Sequence, residues 1–181
     1  MYLNLGVIIF LLITCNFINA QTTYTASEND SKVVIEGTSN IHDWEMNVES
    51  LKSTLVLNNN AETIKAVNFE VPVESMKSGK SKMDKNTYKA LKEDKYEKIV
   101  FSSSTIEETD NKFYATGKLT IAGVTKDVRI PFNFSKQNNQ LALNLDYEIN
   151  MLDYKVEPPT ALFGTITTGE NVNVIINLIF K

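Results

Sequence analysis

From residue 141 to 151 the chain alternates without a break. Leu141, Leu143, Leu145, Tyr147, Ile149 and Met151 fall on one face, and Ala142, Asn144, Asp146, Glu148 and Asn150 on the other. A period of two is that of a β-strand with one dry side and one wet side. Residues 172–180 repeat the pattern, with Val172, Val174, Ile176, Leu178 and Phe180 against Asn173, Ile175, Asn177 and Ile179. The second face is greasier here and is expected to be partly covered. Further strands are predicted over 32–38, 44–57, 65–73, 99–106, 112–121 and 124–134, with a short extra one over 22–26. Turn residues separate them: Asn58-Asn59-Asn60, Asp110-Asn111, Ala122-Gly123 and Gln137-Asn138-Asn139. Such short links join antiparallel neighbours, so 99–151 reads as a four-stranded meander. The total of about eight strands is the number at which a closed barrel just holds one small ligand.

Two segments break the alternation. Residues 84–92 place Tyr88 and Leu91 at helical spacing behind Asp84, a candidate N-cap. One short helix is expected there, over an opening or an edge of the barrel. Residues 152–169 contain Pro158-Pro159 and Gly164, which exclude a regular central strand. A long loop in a compact domain commonly serves as a lid or rim. The fold class is therefore all-β, with about eight strands and one short helix.

Composition narrows the function. The 181 residues suit one domain, and a net charge of −4 without a basic block argues against nucleic acid as partner. Residues 5–13 are almost wholly apolar, apolar character runs on through Phe17 and Ile18, and no charged residue precedes Glu28. That run is short for a membrane span and reads as a signal peptide over 1–20, cleaved after Ala20, leaving a domain over 21–181. Export to the periplasm or beyond is the expectation. Cys15, the single cysteine, offers a second reading: Leu12-Ile13-Thr14-Cys15 as a lipobox and a lipid-anchored protein.

Chemistry is sparse. His42 is the single histidine, and one histidine without companion ligands makes no metal site. His42 and Asp43 are neighbours whose side chains diverge in a strand, so a rim or structural role is favoured over catalysis. Ser102-Ser103-Ser104 have no base beside them, and the glycines form no phosphate cradle. No cofactor is implied. Phe69, Phe101, Phe113, Phe132, Phe134, Tyr147 and Phe180 all fall on strands. Periodicity leaves open whether they fill a core or line a cavity, since both require apolar residues at alternate positions.

Three stretches resemble one family. Gly117-Lys118-Leu119-Thr120-Ile121-Ala122-Gly123-Val124-Thr125-Lys126-Asp127-Val128 is similar to the G-x-L-T-I-x-G-V-T-x-x-V hairpin of the YceI-like family. Phe69-Glu70-Val71-Pro72-Val73-Glu74-Ser75-Met76-Lys77-Ser78-Gly79 resembles the strand and turn before its helix. Met83-Asp84, Ala90-Leu91-Lys92 and Ile99-Val100-Phe101 follow in the same order and spacing. The resemblance spans residues 33–180. It implies a lipocalin-like antiparallel barrel with an elongated apolar pocket, exported, and binding polyisoprenoids or other amphiphiles. His42, in Gly37-Thr38-Ser39-Asn40-Ile41-His42-Asp43-Trp44, sits where the family commonly has a histidine, in an altered setting. The 152–168 loop departs from the usual one.

On this footing the expected pocket residues are Trp44, Met46, Phe69, Val71, Phe101, Leu119, Ile121, Phe132, Leu143, Leu145 and Tyr147. His42, Tyr88, Leu91, Leu162 and Phe163 are expected at the lid or rim. Burial of about 0.8 kcal/mol per methylene gives ten methylenes roughly 8 kcal/mol before ordering costs. Two other readings stay open. One is a barrel with a filled core that docks in an envelope complex, with an exposed apolar patch. The other is an enzyme acting on a bound lipid, through His42, Asp127 or Asp146. For Asp127 an ion pair with Arg129, two residues on, is the simpler expectation.

Overall fold

A computed structural model describes residues 21–58, 63–137 and 140–181. The expected signal segment, with Cys15 and Ala20, lies outside the described residues, as do the tips of two asparagine-rich turns at 59–60 and 138–139.

The strands are β1 (Gln21–Thr25), β2 (Lys32–Ser39), β3 (Trp44–Val48), β4 (Lys52–Asn58), β5 (Ile64–Pro72), β6 (Met76–Lys77), β7 (Lys98–Thr109), β8 (Lys112–Ile121), β9 (Val124–Gln137), β10 (Gln140–Asn150), β11 (Thr160–Ala161) and β12 (Ile166–Phe180), with one α-helix, α1 (Ser81–Leu91). They form a single twelve-stranded sheet in the order β1-β4-β5-β7-β8-β9-β10-β12-β2-β3-β6, with β11 paired to β12. The sheet curls into a lipocalin-like barrel. A seam joins β1 to β12: Thr25 and Lys181 exchange backbone hydrogen bonds of 3.2 and 3.1 Å, and Ala26 bridges to Phe180.

The meander from β7 to β10 is present, and its two described turns have the chemistry a tight hairpin requires. Asp110-Asn111 and Ala122-Gly123 all take positive φ, as a two-residue hairpin loop demands. Gly123 meets a further constraint, since a Cβ there would lie 2.3 Å from the ring of Tyr96.

The strand count exceeds the expected eight for three reasons. Residues 44–57 form two strands because 49–51 leave the ladder for distant partners. Glu49 N–H donates to Ser75 O, and the Glu28 carboxylate accepts from Ser50 Oγ and Leu51 N–H at 2.8 and 3.0 Å. Two two-residue strands, β6 and β11, are too short to carry a pattern. Finally, β1 is a full member of the sheet. β12 also begins at Ile166, six residues before the clear alternation, with a register irregularity between Thr168 and Val172.

The helix starts at Ser81, so Asp84 is not its N-cap. Asp84 lies in the first turn and accepts from Ser78 N–H (2.8 Å) and Ser78 Oγ (2.6 Å). The expected Asp127–Arg129 pair does not form either. Each residue reaches across to the neighbouring strands instead, Asp127 to Lys118 at 2.8 Å and Arg129 to Glu107 at 3.3 Å, with the guanidinium 3.6 Å from the Tyr114 ring centroid.

Candidate functional site: an apolar cavity under a helix

The barrel is filled at one end and hollow at the other. At the seam end Leu55, Leu57, Ile64, Leu141 and Phe180 are almost wholly buried and make a solid floor. Phe113 stacks on Phe132 at 5.5 Å and meets Phe134 edge-on at 5.9 Å just above it. Beyond that layer the strands splay around a cavity of about 530 Å³, within the usual range of roughly 300–1,000 Å³ for small-molecule sites.

Strand parity determines what the cavity meets. β3 contributes Trp44 and Met46, β5 Phe69 and Val71, β7 Phe101, β8 Leu119 and Ile121, β9 Phe132, and β10 Leu143, Leu145 and Tyr147. All eleven expected pocket residues therefore face one space. Sequence reasoning left out others that share it. Val33 and Ile35 of β2 and Val172, Val174, Ile176 and Leu178 of β12 complete the wall. The alternation of β12 had marked that face plainly, so the signal was available. Met83, Thr87 and Ala90 also face inward, one turn apart on α1, as helical periodicity requires. Tyr154 and Val156 follow β10 in an irregular turn, where no periodicity points to them.

Trp44 owes its position to a glycine. Gly37 stands opposite it in the β2–β3 register, and a Cβ there would lie 2.2 Å from the indole. A glycine inside a strand is the usual sign of such a close approach. The indole Nε1 donates to Thr38 O at 3.0 Å, which fixes the ring over the cavity.

The mouth lies at the other end, between α1, the β2–β3 loop and the segment 151–165. His42 lines it, with Nδ1 donating to its neighbour's carbonyl, Asp43 O, at 2.6 Å. Leu91 and Leu162 line it as well. Tyr88 and Phe163 do not. The Tyr88 hydroxyl donates to Glu74 O and Met76 O, both at 3.0 Å, and accepts from Lys77 Nζ at 2.8 Å. Tyr88 thus clamps α1 to β6 outside the pocket. Phe163 is fully exposed, because Leu162, Phe163 and Gly164 all take positive φ and turn its side chain outward.

Among the described residues the exposed large hydrophobics are Ile41, Val100, Leu152, Leu162 and Phe163. Ile41 and Leu162 line the mouth, and Leu152 and Phe163 belong to the 151–165 segment beside it with their side chains outside the pocket. Asn40 ties two of the loops together, donating from Nδ2 to Thr165 O (2.9 Å) and accepting from Thr167 N–H (3.0 Å). The turn carrying Leu152 is held by Lys126, whose Nζ reaches Asp153 at 2.5 Å and lies 5.8 Å from the Tyr154 ring centroid.

Apart from Lys80 and Lys82 at the start of α1 and His42 at the mouth, the lining is uncharged. Burial pushes the Tyr154 phenol up to about 12, with further contributions from Tyr147 and Asp153. Burial, then the Asp153 carboxylate, also raises Tyr147. Asp127 and Asp146 are exposed on the outer face of the barrel, away from the cavity.

This is a lipocalin-like barrel enclosing an apolar cavity, an architecture suited to holding apolar molecules. The profile of the YceI-like domain matches residues 24–180, and the chain belongs to that family. BcnA of Burkholderia cenocepacia superposes with a TM-score of 0.74 at 18% identity, covering 85% of this chain and 98% of that one. A polyisoprenoid binding domain from Saccharophagus degradans, implicated in plant cell wall breakdown, gives 0.67 at 12% identity, with 87% and 97% covered. The YceI protein of Campylobacter jejuni gives 0.60 at 20% identity, with 74% and 82% covered. At these identities the likeness is one of fold. No curated protein matches the chain.

Proposed function

We propose that the protein is an exported carrier or sequestering protein for a long-chain apolar molecule, a polyisoprenoid or similar amphiphile, which it holds inside the barrel. The observation that carries this reading is the cavity of about 530 Å³ with an almost wholly hydrocarbon wall, a solid floor and one mouth. A filled-core interaction barrel would have no such space. Catalysis is disfavoured, since of its three candidates Asp127 and Asp146 face outward and His42 stands at the rim. The apolar collar of Ile41, Leu162 and Phe163 supports loading from a lipid surface, because an exposed greasy rim there continues into the pocket.

The test is native mass spectrometry of the protein purified from the envelope fraction, with solvent extraction of any adduct. A stoichiometric long-chain adduct is expected. An empty protein that also takes up no added isoprenoid or fatty acid refutes the reading. The same sample reports export: a mature N-terminus at Gln21 is expected, and a lipidated Cys15 would indicate an anchored form instead.

A further inference from the structure

Over residues 80–92 the chain carries five lysines, Lys80, Lys82, Lys85, Lys89 and Lys92, against one acid, Asp84, although its net charge is −4. Lys82, Lys85, Lys89 and Lys92 recur at spacings of three and four, which puts them on one face of α1 as it runs into its C-cap at Lys92. Met83, Thr87 and Ala90 occupy the opposite face and look into the cavity, so the lysine face points away from the barrel. All five lysines are exposed. Lysines one turn apart repel each other, and no acid relieves the stripe. The one acid in the segment is already spent: Asp84 accepts twice from Ser78, and Lys77 offsets its charge. Among the described residues the cations in ion pairs are Lys98, Lys118, Lys126, Arg129 and Lys181, and none of the five belongs to that set.

The stripe stands at the mouth. Lys80 and Lys82 line the opening together with Ile41 and Leu162, which are 58% and 57% exposed. Cations beside exposed apolar side chains match a bilayer surface, where anionic head groups overlie hydrocarbon. The rim also runs on into an apolar cavity, which a lipid from a bilayer can enter and a folded acidic protein cannot. Charge decides the orientation as well. Glu36, Asp43, Glu45, Glu148 and Glu170 line an outer depression on the β2–β3 and β10–β12 side. An anionic surface is repelled there and attracted at α1. We propose that α1 and the mouth form a docking surface for an anionic lipid bilayer, with the lysine stripe on the head groups and Ile41 and Leu162 at the hydrocarbon boundary. The purpose of this contact rests on the carrier reading. What it adds is the charge of the membrane and the face of the protein that meets it.

The test is flotation of the protein, purified from the envelope fraction, with vesicles of phosphatidylcholine alone or of an equal mixture with phosphatidylglycerol. At low salt, binding to the anionic vesicles should exceed binding to the zwitterionic ones by about tenfold or more, and it should fade as salt rises to roughly 0.5 M. Lys85→Glu with Lys89→Glu changes two lysines that do not line the cavity. It should lose about tenfold or more of the anionic binding and keep uptake of a single-chain fluorescent probe from solution. Lys112→Glu with Lys136→Glu makes the same change in net charge at exposed positions beside the floor residues Phe113 and Leu141, and it should bind as the natural protein does. If the first variant unfolds, Lys85→Gln with Lys89→Gln carries the same test, with a smaller loss in the same direction. Equal binding to both kinds of vesicle, or equal losses in the α1 and floor variants, overturns the docking surface. Binding to polyglutamate but not to anionic vesicles overturns it in favour of an acidic protein partner. A protein that carries a long-chain adduct yet ignores anionic vesicles overturns the surface and leaves the carrier reading standing. One that binds the vesicles through α1 but takes up no ligand supports the surface and overturns the carrier reading.

Discussion

Ala115→Phe distinguishes a hollow barrel from a filled one by two independent measurements. Ala115 sits on β8 towards the floor, is 3% exposed, and lines the cavity opposite Ile130. At roughly 30 Å³ per methylene-sized group, the space a water takes in the liquid, 530 Å³ holds about 18 such groups. Affinity in a homologous ligand series should therefore rise by about 0.8 kcal/mol per carbon, roughly fourfold, and level off near that length. A phenyl ring at 115 displaces roughly three to four of these groups. The plateau should move down by the same number, and the longest ligands should lose about 3 kcal/mol, near 100-fold. Ligands short enough to stop above residue 115 should bind as before. Thermal unfolding gives the second measurement. In a hollow barrel the ring enters existing space and the midpoint holds or rises. In a filled core overpacking costs about 1–3 kcal/mol, a fall of roughly 2–10 °C for a domain of this size. A lowered midpoint together with an unmoved plateau would refute the cavity as drawn.

Three further outcomes follow from named contacts. Gly37→Ala forces the Trp44 indole off its place at Thr38 O, and it should cost about 1–3 kcal/mol and shift the emission of the single tryptophan, read by fluorescence during denaturation. Asp84 is held below its ordinary value of 3.8, since the push of burial is outweighed by two hydrogen bonds from Ser78 and by the Lys77 charge. Its contribution to docking α1 is thus complete above that value and fades as pH falls through the lowered one; amide exchange at Ser78 should speed up there, and Asp84→Asn should remove the pH dependence. Leu152→Ser with Phe163→Ser removes two collar residues that do not line the pocket. It should slow uptake of a fluorescent lipid from vesicles by about tenfold or more, with equilibrium affinity unchanged, in a stopped-flow transfer assay.

Where the chain runs as an uninterrupted strand, the sequence was sufficient. β8 occupies the predicted residues, and the parity of β10 alone placed Leu143, Leu145 and Tyr147 on the inner wall. The break at 49–51 was invisible because the groups that cause it, Glu28 and Ser75, lie more than twenty residues away. The N-terminus of α1 was misplaced because Asp84 has the right chemistry for a cap but spends it on Ser78 from inside the first turn. Tyr88 was legible as helical but not as a clamp, since its partners are backbone carbonyls at the end of another element. Hollow against filled was beyond periodicity in principle: Leu141 and Leu143 share a strand and a parity, yet one belongs to the floor and the other to the cavity. Tyr154 lay in a turn with no period at all.

The seam between β1 and β12 also sets an order of events. Contacts between segments so distant in sequence form late, after shorter loops have closed. β12 supplies five cavity-lining aliphatic side chains as well as the far side of the seam. Until it docks there is no enclosed volume, only a curled sheet with a greasy inner face. If the seam closes last, the barrel is empty of cargo until that step, and what it first holds is whatever the compartment in which β12 closes has to offer.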